Sequence, residues 1–169
     1  MQQHVQELVR RFAEVNDALR SLVEPCTTTQ WQTPCVVGEW SVGGTVHHIA
    51  NGYDQEGWVA AVIAAILAGQ RLPAQQADVP AGQDFNEWHA HHFATYTQEE
   101  TLALLRHNEA AVLGLIEGLQ DEDLERTAPT SSGSGPVSLR RIIEAILINH
   151  AQEHLRSLQA ALETGSDTP

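Results

Sequence analysis

The chain contains no lysine: its nine basic residues are all arginines, set against 22 aspartates and glutamates. The formal net charge at pH 7 is therefore −13, with histidine counted as neutral. A surface of this sign repels the phosphates of nucleic acids and of anionic membranes. We expect neither nucleic acid nor a membrane as a partner, and a small-molecule substrate is the expected ligand.

Long apolar runs, a leader sequence and cysteine motifs are also missing. The longest apolar-rich run, residues 58–68, is too short to span a bilayer. The N-terminus lacks the basic and apolar regions of a secretory signal peptide. The two cysteines, Cys26 and Cys35, match no metal-binding or redox spacing. These absences predict a cytoplasmic protein with reduced thiols, and a disulfide is the lesser alternative.

Helical periodicity is what the sequence does have, and no alternating run of strand type stands out. Apolar residues recur at helical spacing over about residues 2–23, 41–69, 84–119 and 138–164. Pro25 ends the first stretch, and Ser41 and Ser138 are suitable N-caps for the second and the fourth. The run Thr97-Gln98-Glu99-Glu100 is a capping box, so the third stretch is either two helices or one kinked helix.

Four long amphipathic helices in 169 residues predict an all-α protein, built as a single four-helix bundle domain over residues 1–165. Residues 121–137 contain a Gly/Ser run between two prolines and are expected to form a flexible loop. Residues 166–169 are expected to form a disordered tail. The connections are long enough for either an up-down-up-down or an up-down-down-up order.

Two histidines four residues apart, His150 and His154, lie in the apolar stripe of the last helical stretch. This spacing places both imidazoles on one side of a helix, where they can hold one divalent metal ion. With nine histidines in the chain, such a pair is half-expected by chance. A buried histidine is also more often satisfied by a hydrogen bond than by a metal. The metal interpretation therefore requires a third ligand.

The second helical stretch offers two adjacent histidines as that ligand. His48 shares its helical face with residues that become apolar toward the end of the stretch, whereas His47 lies with a mostly polar set. We therefore predict that His48 points inward with His150 and His154. We expect His47 to be solvated or to lie at a rim.

The segment from Gly38 to Ala50 contains Gly-Glu-Trp-Ser followed by His-His-Ile-Ala, and it resembles a motif of the DinB/YfiT-like superfamily. That superfamily includes the N-terminal domain of mycothiol-dependent maleylpyruvate isomerase. Its second motif, a histidine pair in the last helix, is matched by His150 and His154. The resemblance covers nearly the whole chain. It implies an up-down-down-up bundle in which His48, His150 and His154 are metal ligands.

Three neutral imidazoles suit zinc best and nickel next, and iron or manganese would need added waters. The resemblance implies a thiol-dependent transferase or isomerase with a low-molecular-weight thiol as cosubstrate, and it also implies a homodimer. A metal-dependent hydrolase on the same ligands is the first alternative. A non-catalytic metal-binding stress-response bundle and a metal-free bundle with core histidines are the others.

The start of the third helical stretch borders the predicted site if the second and third helices run parallel. Trp88, His89 and Tyr96 would then line a substrate pocket, and His92 would be a candidate general base. The simpler interpretation is an aromatic core patch, because Trp88, His92 and Tyr96 share one helical face. Trp40 is expected to pack over the start of the second stretch rather than to touch substrate.

Overall fold

The computed structural model describes residues 2–35, 40–53, 57–73, 88, 91–93, 95–129 and 135–165. Its helices are α1 (Gln3–Val23), α2 (Thr28–Trp31), α3 (Val42–Tyr53), α4 (Trp58–Leu67), α5 (Gln98–Glu117), α6 (Leu139–Ile143) and α7 (His150–Gly165). A 3₁₀ turn (Asp123–Glu125) and the strands β1 (Thr127–Pro129) and β2 (Pro136–Ser138) lie between α5 and α6. A π-helical segment (Glu144–Asn149) joins α6 to α7. The expected tail, residues 166–169, lies outside the described residues.

The first bundle helix, α1, has nearly the bounds that its sequence predicts. Its N-cap, Gln2, makes no side-chain cap hydrogen bond. Instead, the Asp121 carboxylate accepts from the backbone N–H groups of His4 and Val5, at 3.0 and 2.9 Å. Burial raises the pKa of Asp121, but these N–H groups outweigh it, so the pKa lies below its usual value. A residue beyond the end of α5 thus satisfies the free donors at the start of α1.

The prediction of one continuous helix over residues 41–69 is wrong, because α3 and α4 are separate helices. Gly57 has a φ of 76° and precedes α4 in the left-handed conformation, which interrupts a helix and which glycine adopts at little cost. The predicted end is correct: Gly69 also has a positive φ, of 65°, and the N–H of Gln70 reaches back to the carbonyl of Ala65 at 2.8 Å.

The third helical stretch is divided at the predicted capping box. The hydroxyl of Thr97 accepts from the N–H of Glu100 at 3.2 Å, and the carboxylate of Glu100 accepts from the N–H of Thr97 at 2.8 Å. These two bonds start α5 at Gln98. Trp88 and residues 91–93 are helical before it, and residues 84–87 lie outside the described residues.

The expectation of a loop without regular structure over residues 121–137 is also wrong in part. Strands β1 and β2 pair antiparallel, with Thr127 opposite Ser138 and Ala128 opposite Val137. The side chain of Ala128 is completely buried, so this short hairpin covers part of the core. Its two prolines, Pro129 and Pro136, face each other at the end of the ladder, where a missing N–H costs least.

Contacts between helix ends show that α1 and α5 run antiparallel. At the start of α1, the side chain of Gln2 donates to Gln120 beyond the end of α5, at 2.8 Å. At the other end, the side chain of Gln98 donates to the carbonyl of Val23 at 3.1 Å.

Two further contacts orient the other two bundle helices, which are α3 and the last helix, made of α6, the π-helical segment and α7. Near the start of α3, Nδ1 of His47 lies 3.2 Å from the hydroxyl of Thr101, near the start of α5, so these two helices run in the same direction. Leu22 at the end of α1 and Leu162 at the end of α7 line one cavity. Each of these contacts is one that an up-down-down-up order requires.

The apolar faces of these helices form one core, which confirms the four-helix bundle. The largest completely enclosed side chains come from all four bundle helices and include Leu8, Phe12, Leu19, Ile49, Tyr53, Leu105, Ile116, Leu139 and Leu147. Among the described helices, none is both long enough and apolar enough to cross a membrane.

Candidate metal centre

Three imidazoles, which we call the histidine triad (His48, His150 and His154), meet inside the bundle. Nε2 of His48 and Nε2 of His154 lie 3.2 and 3.0 Å from Nε2 of His150. One ring nitrogen of each residue lies within 4.8 Å of the other two. Two nitrogens bound to one tetrahedral zinc ion lie about 3.3 Å apart, given bonds of about 2.05 Å. Among the described residues, no other three histidine, cysteine or acidic side chains come together in this way.

His150 and His154 come just after a local widening of the last bundle helix, which comprises α6, the π-helical segment and α7. In the π-helical segment, the N–H of His150 bonds to the carbonyl of Ala145, five residues back instead of four. Wide turns of this kind are frequent at functional sites. Here both Leu147 and Ile148 lie in the core, whereas Ile146 is only partly buried.

Burial keeps His150 and His154 in the neutral state that a metal ion requires. Desolvation lowers the pKa of His150, with Glu153 acting weakly in the opposite direction. Desolvation, together with the neighbouring His150, lowers the pKa of His154 to about 4. Both imidazoles are therefore neutral at pH 7, and a neutral imidazole offers a lone pair to a metal.

Trp40 covers the triad from one side. Its ring centroid lies 4.6 Å from that of His48 and 6.4 Å from that of His154, and it stacks on the latter with an angle of 21° between the planes. Only 8% of Trp40 is exposed. The sequence predicts that Trp40 packs over the start of the second helical stretch. In the structure it also packs directly on His48 and His154.

The prediction that His47 is solvated or lies at a rim is wrong. His47 is 3% exposed, and its ring lies 4.5 Å from that of Phe93 and 4.1 Å from that of Tyr96. The polar face that His47 shares is covered because α5 packs against α3, where Thr101 meets Nδ1 of His47. His47 is thus buried and His48 half-buried, on different sides of α3.

The residues that precede α5 form an aromatic patch beside His47. The rings of Trp88 and His92 stack at 4.5 Å, and Tyr96 stacks on His47. His92 is exposed and packs against Phe93 at 5.4 Å. The rings pack against one another, but His92 and Tyr96 are exposed, so the patch lies at the surface and not in the core as the simpler interpretation predicts. The roles of His92 as a general base and of Trp88 and Tyr96 as substrate contacts stay predictions, and His89 lies outside the described residues.

The sequence matches the family model of the DinB superfamily over residues 11–158. The chain belongs to the DinB superfamily. This confirms the resemblance on which the ligand set was predicted. Among curated proteins, no sequence matches this DinB chain.

Solved structures show the same DinB fold at low sequence identity. YfiT from Bacillus subtilis, described as a probable metal-dependent hydrolase with an unusual four-helix bundle topology, is 18% identical. It has a TM-score of 0.75 over 99% of this chain and 91% of its own. Mycothiol-dependent maleylpyruvate isomerase is 14% identical, with a TM-score of 0.67 over 98% of this chain and 64% of its own.

The colibactin self-resistance protein ClbS, solved in complex with double-stranded DNA, is a further DinB-fold neighbour. It is 16% identical, with a TM-score of 0.66 over 93% of this chain and 94% of its own. At such identities the likeness shows the fold alone.

Proposed function

We propose that this protein is a metal-dependent enzyme and that His48, His150 and His154 hold one divalent ion. The observation that carries the proposal is the convergence of three ring nitrogens within 4.8 Å of one another inside the bundle. The separations of 3.0 and 3.2 Å are already close to those between the ligands of one ion. Membership of the DinB superfamily, and the metal dependence ascribed to YfiT, support it.

The chemistry of the donor set favours zinc, with nickel next and iron or manganese also possible with added waters. Three neutral nitrogens leave the full positive charge of the ion uncompensated. When bound, such an ion supplies Lewis acidity, which lowers the pKa of a coordinated thiol or water. Trp40 packs against two of the imidazoles and shields them from water on that side.

The reaction that we propose first is thiol-dependent transfer or isomerisation, with a low-molecular-weight thiol as cosubstrate. Its support is the fold shared with mycothiol-dependent maleylpyruvate isomerase. The matched region covers 64% of that protein. The metal ion held by the triad would favour the thiolate form of the thiol, and the thiolate is the better nucleophile at neutral pH.

A metal-dependent hydrolase is the second candidate, and the fold shared with YfiT favours it. It would use the same three ligands, with water in place of the thiol. A bundle that binds metal without catalysis is the third candidate.

Metal content is the first test. The protein is purified without chelators and examined by native mass spectrometry, beside His48→Ala, His150→Ala and the control His107→Ala, whose histidine is exposed on α5. We expect one ion per chain in the wild type and the control, and none in the two triad variants. A wild type without stoichiometric metal, or triad variants that keep it, would contradict the proposal.

Activity then separates the candidates. The metal-loaded protein is assayed with mycothiol, bacillithiol or glutathione against small electrophiles, and in parallel against esters and amides without thiol. Turnover that needs both a thiol and the triad supports the transferase. Thiol-independent hydrolysis that is lost in His150→Ala supports the hydrolase. Metal binding without either activity supports the non-catalytic bundle.

A further inference from the structure

A cavity of about 530 Å³ lies at the end of the bundle where α3 and α5 both begin. Its volume is within the range of small-molecule sites. Three aromatic side chains contribute to its lining, namely Trp31 of α2, Phe93 and Tyr96. No member of the histidine triad lines it, so the cavity is separate from the metal centre among the described residues.

The described residues that line the cavity are uncharged, although the chain as a whole carries a formal charge of −13. None of the described residues that line it is acidic or basic. Several of its polar groups are already engaged: Ser41 Oγ accepts from the N–H of Gly44, and Gln98 donates to the carbonyls of Val23 and Cys26. The aromatic rings are therefore the main contacts that the wall offers to a ligand.

Tyr96 is the ring best placed to meet a ligand. It stacks on buried His47, with ring centroids 4.1 Å apart and 24° between the planes. It is nevertheless 40% exposed, and no other large hydrophobic side chain among the described residues is classed as exposed. One face of the phenol is thus fixed by His47, and the accessible part can stack on a further planar group.

Trp31, which also lines the cavity, lies close against α3. A Cβ atom at Gly43 would lie 2.2 Å from Nε1 of Trp31, so only glycine allows the indole to lie against the helix. Trp31 is 8% exposed and is therefore held in this position. The cavity owes its shape to this contact.

The cavity and the triad are connected through one face of α3. Ser41 and Gly44 line the cavity, and His48 follows at helical spacing on the same face. Four residues of α-helix rise about 6 Å. Gly44 in the cavity wall and His48 in the triad are therefore about one helical turn apart along α3.

We propose that this cavity binds the uncharged, aromatic end of a small substrate whose reactive end lies at the triad. The placement of the reactive end at the triad rests on the proposed function. The inference adds the class of substrate to that function. A ring without charge is selected because a charged one would lose its hydration and gain no partner from the wall.

The first test does not depend on metal. Binding of 4-fluorophenol to the chelator-treated protein is followed by ¹⁹F NMR, beside fluorobenzoate and fluorobenzylamine as charged probes. We expect saturable binding of the neutral probe, weakened about tenfold in Tyr96→Ala and unchanged in His107→Ala and in His48→Ala. Absence of saturable binding, equal binding of a charged probe, or an unaffected Tyr96→Ala would overturn the proposal.

The second test joins the two sites. Acetohydroxamate, phenylacetohydroxamate and 3-phenylpropanohydroxamate are titrated against zinc-loaded protein. We expect a phenyl tether of suitable length to tighten binding about tenfold, and Tyr96→Ala to remove this gain without changing the affinity for acetohydroxamate.

The two failures are distinguishable. If acetohydroxamate binds but no phenyl tether improves it, the aromatic-end proposal fails and the metal centre stands. If the protein takes up no zinc, the metal centre fails, and the fluorophenol titration alone decides whether the cavity binds a neutral ring.

Discussion

Burial of the triad histidines has a consequence in acid. The pKa of His154 is about 4 in the folded protein, against an ordinary value of 6.5. Between these values the unfolded chain binds a proton that the folded chain does not. The stability that this histidine contributes in metal-free protein is therefore complete above pH 6.5 and is lost as the pH falls toward 4.

We expect the melting temperature of chelator-treated protein to fall between pH 7 and pH 4, and to fall less steeply for His154→Gln. The measurement is thermal unfolding followed by circular dichroism at half-unit pH steps. The exposed His107→Gln is the control and should follow the wild type. Equal slopes for His154→Gln and the wild type would show that burial of His154 does not suppress its charged form.

Alanine substitutions at Gly43 and Gly52 test the close approach of Trp31, since both glycines lie in α3 but only Gly43 lies against the indole. Alanine at position 43 would place Cβ 2.2 Å from the indole, whereas nothing lies within 4 Å of a Cβ at position 52. We expect Gly43→Ala to destabilise the protein by about 1–3 kcal/mol through overpacking. Gly52→Ala should be neutral or stabilise it by up to about 1 kcal/mol. Urea unfolding of both variants measures the difference, and equal effects would contradict the packing.

The choice of His48 over His47 shows what residue patterns can and cannot predict. The 100° step between neighbours correctly separated the two faces, and the structure brings His48 to His150 and His154. The same reasoning failed for His47 because a polar face was equated with a solvated one. That face is covered by α5 and by Phe93 and Tyr96, which precede it, and no local pattern in α3 reveals this packing.

At the scale of elements, the capping box at Thr97 defines where α5 begins. We expect Thr97→Ala to cost about 1 kcal/mol of stability, because the first turn of α5 loses an acceptor for its free N–H groups. Thr164→Ala is the matched control, since the hydroxyl of Thr164 only bonds back to Ala160 and Ala161 in the last turn of its own helix. Denaturant midpoints of the two variants give the comparison. A larger loss for Thr164→Ala would argue against the capping role.

Helix boundaries were predictable where side chains make them, as at the Thr97 capping box. Of the two boundaries that a positive φ makes, the end at Gly69 was predicted and the break at Gly57 was not. Gly57, between α3 and α4, follows Asp54-Gln55-Glu56, and the residue types alone do not give its φ of 76°. The hairpin of β1 and β2 escaped prediction for a related reason. Its strands have three residues each, too few to show alternation, and both contain a proline that is typical of loops.

At the scale of the whole molecule, a buried ion pair joins α1 to α5. Arg20 contacts Glu109, whose side chain is 8% exposed, and it also contacts Asp17. We expect Glu109→Leu to destabilise the protein by roughly 2 kcal/mol, because it leaves Arg20 partly buried without its main partner. The double variant Arg20→Met/Glu109→Leu should recover part of the loss. Chemical unfolding of the three proteins tests this, and a double variant less stable than Glu109→Leu would contradict it.

The acidic surface gives a second prediction at this scale. ClbS shares the fold and has been solved with double-stranded DNA, but a formal charge of −13 opposes such a partner here. We expect no binding of a labelled 20-base-pair duplex at 150 mM salt by fluorescence anisotropy. Saturable binding that weakens with added salt would show a local basic surface that outweighs the net charge.

The positions of the triad residues along the chain carry one last consequence. His48 and His150 are 102 residues apart, on two different bundle helices. An ion shared by them would act as a crosslink between distant parts of the chain. Binding only to the folded form, it would add about 4 kcal/mol of stability at a free metal concentration of 1,000 times the Kd. The lifetime of the protein in a cell with proteases would then follow the supply of metal, so its abundance would report metal starvation before any loss of turnover.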